Sequence, residues 1–286
     1  MKQPDKETWT ILKVLEWTKG YLAEKGVENA RLEAEWMLCA ALGLDRVGLY
    51  VNFDKPLTDK ELAAYRAMVT RRAKREPLQY ILGSQEFMGL EFTVTPAVLI
   101  PRHDTEVLVE EAMKRCQRGG KVLDVGVGSG CIAVVLAKNL PGAEIFGVEQ
   151  SHQALELAVG NTERNGVVVK LVFGSLFEPF IDQKFDLIVS NPPYIPTADL
   201  ALLQPEVRDY EPWSALDGGA DGLDFYRRII PAAPDHLTHG GWLLFEVGIG
   251  QWPQVLELFE KTGCFTELFT VKDPGGIERV VGGRIV

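Results

Sequence analysis

The chain is poor in the residues that build disulfide and metal-bound frameworks: its 286 residues include four cysteines and four histidines. Cys39, Cys116, Cys131 and Cys264 are scattered, with no C-x-x-C pair and no histidine at metal-ligand spacing, so reduced, buried thiols are expected. His103, His152, His236 and His239 form no H-x-x-x-H or H-x-E pattern, and no metal site is expected. Long apolar runs are missing too. Nothing approaches the roughly 20 apolar residues that span a bilayer, and the start, Met1-Lys2-Gln3-Pro4-Asp5-Lys6, lacks the apolar core of a signal peptide. The expectation is a cytoplasmic chain with no membrane partner. Positive charge is in deficit, with 30 Lys and Arg against 40 Asp and Glu, a net charge of −10. Because phosphates must be neutralised by Lys and Arg, this balance opposes extensive binding to naked nucleic acid, and no stable nucleic-acid partner is expected. A monomer is expected.

What is present is ordinary globular composition, 46% hydrophobic and 24% charged, in a chain long enough for one large domain or two unequal ones. Residues 1–82 read as a small helical domain. Ile11, Leu12, Leu15, Leu22 and then Leu32, Trp36, Met37, Leu38 recur at spacings near three and four. A further helix begins at Thr58, with Glu61 completing a capping box, and ends before Pro77. Its last turns carry Arg71, Arg72, Lys74 and Arg75, which either complement the helix C-terminus or meet an RNA or protein partner. Over 83–100, Phe87, Leu90, Phe92, Val94 and Val98 interrupted by Gly89 and Pro96 predict a hairpin linker. Over 101–286, strand-like and helical runs alternate: strands at 121–125, 144–148, 167–173 and 185–189, helices at 129–139 and 152–165. Beyond these come a helix at 225–233, a strand at 242–247, a helix at 251–262, and strands at 265–271 and 278–281. Such alternation predicts an α/β domain with a parallel sheet covered by helices.

Two loops in this domain carry chemistry. The stretch Asp124-Val125-Gly126-Val127-Gly128-Ser129-Gly130 runs from strand to helix with the spacing G-x-G-x-G. A nicotinamide-binding turn prefers G-x-G-x-x-G, whereas the residue three after Gly128 is Cys131, which favours an adenosyl cofactor lacking a pyrophosphate. Glu149, at the end of the next strand, is placed to accept hydrogen bonds from both ribose hydroxyls. Asp124 either orients the loop, meets the cationic methionine moiety through water, or acts as a local cap.

The second loop, Asn191-Pro192-Pro193-Tyr194, directly follows the apolar run Phe185 to Val189. It reads either as a strand-ending turn or as a device for methylating a planar nitrogen. Such a nitrogen has its lone pair delocalised and needs acceptors for its N–H groups. The Asn191 side-chain oxygen and the Pro192 carbonyl can supply two, and Tyr194 can cover a flat acceptor group with its ring. Taken with the glycine loop, the cofactor is expected to be S-adenosyl-L-methionine, and both motifs lie at the carboxyl ends of strands, the ligand edge of an open α/β sheet.

Through these two motifs and further segments the chain resembles the release-factor glutamine methyltransferases of the HemK/PrmC type over nearly its whole length. The resemblance extends to Arg71-Arg72 with Glu76 to Gly83, to Ile100 to Glu106, to Glu206 to Pro212, to Leu216 to Asp224 and to Lys272 to Arg279. It implies a Rossmann-like S-adenosylmethionine-dependent sheet with helices on both faces, preceded by the helical domain and hairpin. It also implies methylation of the glutamine side chain in the Gly-Gly-Gln loop of class-1 peptide chain release factors, with the N-terminal domain helping to dock that partner. Gly126, Gly128, Gly130, Glu149 and Asn191 carry over position by position. Three residues depart from the family pattern. Glu149 replaces the usual aspartate, Ser175 stands where aspartate is usual, and His103 replaces a proline, which leaves the first longer in reach, the second without a carboxylate for the adenine amine, and the third in a less rigid loop.

The expected mechanism is direct in-line transfer with no covalent enzyme intermediate. Asn191, Pro192 and Tyr194 are the candidate catalytic residues, joined by Pro193 in holding substrate. Gly126, Val127, Gly128, Ser129, Gly130, Glu149, Leu176 and Asn191 are the candidate cofactor-binding residues. Asp124, Arg102, Thr105, Glu106, Ser175, Phe177 and Glu246 form a second tier, each with a structural role open to it. Two alternatives remain: an exocyclic-amine methyltransferase acting on DNA adenine or RNA guanine, which needs the same acceptor pair, and a non-catalytic S-adenosylmethionine-binding scaffold associated with translation.

Overall fold

The computed structural model describes residues 8–286, which divide into two units: 8–83 with 204–210, and 84–203 with 211–286. Among the described residues no helix is long and apolar enough to cross a membrane.

The first unit is helical, built from α1 (Ile11–Glu24), α2 (Ala30–Leu42), α3 (Arg46–Val51), α4 (Asp59–Arg72) and α5 (Leu78–Leu82), with Pro205–Arg208, the ninth helix in chain order (α9). The capping box opens α4, the Glu61 N–H donating to Thr58 Oγ1 at 3.3 Å and the Thr58 N–H to Glu61 Oε2 at 2.7 Å. Ile11, Val14, Leu22, Met37, Leu38, Tyr65 and Val69 share one buried cluster. That apolar stripe is narrower than its sequence pattern suggests. Leu12, Leu32 and Trp36 are 47%, 40% and 45% exposed, because on α1 the buried line runs through Ile11, Val14, Thr18 and Leu22 and leaves Leu12 about 100° away around the helix. The arginines ending α4 are engaged inside the unit. Arg71 pairs with Glu76; Arg72, buried, with Glu33 and, at 3.0 Å, with Glu206; Arg75 with Glu206 at 2.7 Å.

The second unit opens with an antiparallel hairpin, β1 (Ser84–Phe87) and β2 (Leu90–Thr93). There follow α6 (Asp104–Arg115), β3 (Lys121–Val125), α7 (Cys131–Asn139), β4 (Glu144–Glu149), α8 (His152–Arg164), β5 (Lys170–Phe173) and β6 (Phe185–Ser190). Beyond α9 come α10 (Asp224–Ala232), β7 (Leu237–Glu246), α11 (Trp252–Thr262), β8 (Phe265–Lys272) and β9 (Glu278–Ile285). The sheet order is β5-β4-β3-β6-β7-β9-β8, parallel from β5 to β7 and antiparallel through β9 and β8. Alternate residues of each strand face opposite sides. Val122, Leu187, Val189 and Leu244 pack with the Leu108 and Val109 of α6 and the Ile132 and Leu136 of α7. Leu123, Val125, Ile188 and Phe245 pack with the Ile229 and Ile230 of α10 and the Val255 and Phe259 of α11. The sheet is therefore helix-covered on both faces, as expected.

The hairpin is integral to this unit. Phe87 and Phe92 are buried in the same cluster as α6 and α7, and Asn161 of α8 brackets Thr93, accepting from its N–H at 2.8 Å and donating to its carbonyl at 3.0 Å. Some strand limits differ from the sequence expectation. β5 begins at Lys170 rather than 167, while β7 begins at Leu237 and β9 runs on to Ile285. β7 reaches back because Leu237 pairs with Phe185 across an irregularity that absorbs Gly240 and Gly241. Chain order reverses at β3, where the path β3-β4-β5 returns to place β6 on the other side, and this is the switch point at which open α/β sheets bind ligands.

Candidate functional site

At the carboxyl ends of β3, β4 and β6 lies a cavity of about 310 Å³, within the range usual for small-molecule sites. Its floor is the glycine loop. Gly126, Gly128 and Gly130 all have positive φ, 82°, 56° and 84°, a region open to glycine at no steric cost, and Gly130 then caps α7. The loop is fastened to β4 by the Gly126 and Val127 N–H groups, which donate to the Val148 carbonyl at 3.0 and 3.2 Å. Behind it, Asn161 Nδ2 donates to the Ser129 carbonyl at 2.8 Å.

Glu149 ends β4 and lines the cavity while only 9% exposed. Its Oε2 accepts from the Gly128 N–H at 2.9 Å and its Oε1 from the Ser151 N–H at 2.8 Å. Each carboxylate oxygen keeps a further lone pair, so the group can still accept from a diol. The longer reach of glutamate than aspartate is used to span from β4 to the glycine loop. Ser175 and Leu176 also line the cavity, Leu176 at a strained φ of 51°. Arg102 lines it as well, held by Glu211, whose other oxygen accepts from the Ile100 N–H at 3.2 Å. Burial pushes the Glu211 carboxyl up, against the neighbouring Arg102 charge.

Asn191, Pro192 and Pro193 line the same cavity. Ser190, ending β6, donates to the Val125 carbonyl at 2.7 Å and so locks the strand end that presents them. Asn191 Nδ2 donates to Thr105 Oγ1 at 3.2 Å, leaving Oδ1 as its free acceptor. The following chain is pinned by Leu216 to Asp224: Ile195 N–H donates to the Leu216 carbonyl at 3.0 Å and Gly218 N–H to the Ile195 carbonyl at 2.9 Å. A Cβ on Gly218 would stand 2.7 Å from Tyr194 Cα and 2.8 Å from the Pro193 carbonyl oxygen, so this approach requires glycine.

Several anticipated residues are placed elsewhere than in the cavity wall. Gly130, Asp124, Glu106, Phe177, Tyr194 and Glu246 do not line it. Tyr194 packs its ring on the core, and its hydroxyl donates to Glu246 Oε1 at 3.2 Å, so the ring is not presented as a cover in this structure. Phe177 is core, stacked on His236 with ring centroids 4.5 Å apart. Glu106 meets His103 Nδ1 at 3.1 Å on the surface side of α6. Asp124 lies beneath the loop, fully buried, and its oxygens find no hydrogen bond of ordinary geometry. Burial pushes it up to about 7, with the Ala133 amide near enough to oppose the shift and the Glu149 charge adding to it. Glu246 is also pushed up to about 7 by burial, against hydrogen bonding from Thr105 and Tyr194 and the Arg279 charge; its Oε2 has no partner.

Sequence reasoning missed four contributors. Phe225 and Ile229 of α10 form part of the wall, and nothing but ordinary apolar periodicity marks them. Gln251 donates through Nε2 to the Tyr194 carbonyl at 2.8 Å and accepts from the Gly248 N–H at 3.0 Å. Glu211 was signalled only by lying in the segment Glu206 to Pro212. No group of histidine, cysteine or carboxylate side chains able to hold a metal is found among the described residues.

Comparison with known proteins agrees with this layout. A family model described as the PrmC N-terminal domain matches residues 13–83, and one described as a methyltransferase small domain matches residues 102–203. The chain is 71% identical over 279 residues to a release factor glutamine methyltransferase of Geobacter sulfurreducens, with 98% of each chain covered. It is 45% identical over 275 residues to one of Gloeobacter violaceus, covering 93% of this chain and 94% of the relative. Among solved structures, a methyltransferase from Pyrococcus furiosus superposes with a TM-score of 0.53 at 19% identity, over 75% of this chain and 98% of that one, a likeness of fold alone.

Proposed function

This chain belongs to the release factor glutamine methyltransferase family, and on that premise we propose that it transfers the methyl group of S-adenosyl-L-methionine to the side-chain amide nitrogen of the glutamine in the Gly-Gly-Gln loop of class-1 peptide chain release factors. The observation that carries the proposal is that one cavity is lined both by the glycine loop with Glu149 and by Asn191-Pro192-Pro193.

The residues present fit the cofactor. Positive-φ glycines allow close backbone approach, Glu149 offers two carboxylate oxygens at the end of β4 for ribose hydroxyls, and Ser175 and Leu176 flank the same wall. Ser175 has no carboxylate, so an adenine amine would meet a hydroxyl or backbone carbonyl there. When bound, S-adenosylmethionine supplies an electrophilic methyl on a sulfonium.

The protein's own part is to hold the nitrogen. An amide N–H pair meets two acceptors, Asn191 Oδ1 and the Pro192 carbonyl, neither of which accepts a hydrogen bond from another described residue. Both acceptors strengthen their hold as positive charge develops on nitrogen. They also discriminate against glutamate, which has no N–H to donate and would bring oxygen lone pairs against acceptors. Positioning supplies several of the roughly 7 to 11 kcal/mol that proximity gives in the best cases. No strong base is needed, since the alkylated nitrogen is acidic enough to lose its proton to water.

In the same proposal residues 1–82 form the domain that docks the release factor and 101–286 the catalytic domain, with the hairpin between them. The same proposal has the chain act as a cytoplasmic monomer, and its net charge of −10 supports the lack of a stable nucleic-acid partner. The test is transfer of labelled methyl from S-adenosylmethionine to purified release factor and to a variant lacking only the loop glutamine. Labelling confined to the former is expected; equal labelling of both would overturn the proposed acceptor.

A further inference from the structure

The chain from Asn191 to Tyr194 has few soft torsions. Proline fixes φ at 192 and 193, and a residue ahead of a proline is confined to extended ψ, which applies to Asn191 and to Pro192. A segment this stiff points where its ends are held, so the direction of the Pro192 carbonyl depends on what fixes the peptide that follows. That peptide, between Tyr194 and Ile195, is held on both sides. Its N–H donates to the Leu216 carbonyl at 3.0 Å, and its carbonyl accepts from Gln251 Nε2 at 2.8 Å.

Gln251 is the N-cap residue of α11, and its side chain reaches two further backbone groups. Nε2 donates to the Gly222 carbonyl at 3.4 Å, and Oε1 accepts from the Gly248 N–H at 3.0 Å. A carbonyl only accepts and a backbone N–H only donates, so a single orientation of this amide satisfies all three partners. The surroundings leave room for these bonds and for little else. A Cβ on Gly222 would run into the Tyr194 carbonyl oxygen and Gln251 Nε2, and one on Gly248 would stand 2.7 Å from Gln251 Oε1.

We propose that Gln251 is a positioning residue for methyl transfer, acting through the Tyr194 carbonyl to aim the Pro192 carbonyl at an N–H of the substrate nitrogen. It lies outside the cavity wall and touches no reacting atom. The inference rests on the methyl-transfer reading of the site.

Gln251→Met keeps the length of the side chain and removes its hydrogen bonds. Gln251→Glu keeps the acceptor for the Gly248 N–H and sets a carboxylate oxygen against the Tyr194 carbonyl, with transfer assayed at about pH 8 to hold the carboxyl ionised. Both should lower kcat about ten- to a hundredfold, as small misplacements of reacting groups do. The dissociation constant of S-adenosylmethionine and the KM for release factor should each stay within about threefold of the wild type. A residue that merely braces the Gly248 turn would let Gln251→Glu turn over at the wild-type rate, and that result would overturn the proposal. So would a loss confined to cofactor affinity or to KM. If Gln251→Met does not fold, Gln251→Glu decides by the same measurements. Absence of transfer by the wild type would contradict the underlying function instead.

Discussion

The Gly128 N–H donates to the Glu149 carboxylate at 2.9 Å, so the residue proposed to receive ribose also braces the glycine loop. On the proposed cofactor site, one side chain would couple loop geometry to ligand recognition. The second oxygen does the same for Ser151, the N-cap of α8, at 2.8 Å.

Glu149→Ala removes both functions and should weaken S-adenosylmethionine binding about ten- to a hundredfold, the scale of one or two charge-assisted hydrogen bonds. Glu149→Asp keeps the charge but shortens the reach to Gly128, and should fall between. Calorimetric titration with S-adenosylmethionine checks the order; equal affinity in Glu149→Ala and the wild type would remove Glu149 from the cofactor site.

Asp124 and Glu246 make stability depend on pH. Asp124 is raised from 3.8 to about 7 by burial, so below about pH 4 the carboxyl is protonated in both folded and unfolded chains and carries no penalty. Between about 4 and 7 the unfolded chain releases the proton while the folded one keeps it, and stability falls as pH rises. Glu246 acts in the same direction between 4.5 and about 7. Asp124→Asn should therefore gain in Tm on the wild type across that window, on the order of 5 °C, and hold the gain constant above it. A difference in Tm that is flat with pH would mean that Asp124 titrates as an exposed carboxylate.

Gly218→Ala places a methyl 2.7 Å from Tyr194 Cα and 2.8 Å from the Pro193 carbonyl oxygen. The backbone must shift, at a cost of about 1–3 kcal/mol, and the shift falls on the loop that presents Asn191 and Pro192. Urea unfolding should show the loss of stability and a transfer assay a drop in kcat. Retention of both would mean that the Leu216 to Asp224 segment moves freely relative to the Asn191 loop.

Much of the second unit was legible because its signals are local. Val122-Leu123-Asp124-Val125 followed by glycines, and Phe185 to Val189 followed by Asn191-Pro192, mark strand ends by composition alone, and those ends meet at one cavity because parallel strands put their carboxyl ends on one edge. Strands containing glycine were legible only in part. Gly282 and Gly283 resemble a break, yet β9 continues through them because Phe269 on one side and Phe259 with Leu268 on the other fill the space their side chains would take. In the helical unit Trp36 looked like core because it lies beside Met37 and Leu38, and periodicity over a single turn does not distinguish the centre of an apolar stripe from its border. The contacts that hold the site, including that of the anticipated residue Thr105, were hidden for a different reason. Thr105, Glu211 and Gln251 are far in sequence from the groups they hold, and no local pattern links Thr105 to Asn191 or Gln251 to Tyr194.

The central claim is that Asn191 holds the nitrogen that accepts the methyl group, and it is tested most directly by Asn191→Ala, measured at once for S-adenosylmethionine affinity and for turnover on release factor. The account predicts cofactor affinity within about threefold of the wild type and a loss of about a hundredfold or more in kcat, as for removal of a group that stabilises developing charge. Full turnover with diminished cofactor affinity would contradict it and make Asn191 a binding residue alone.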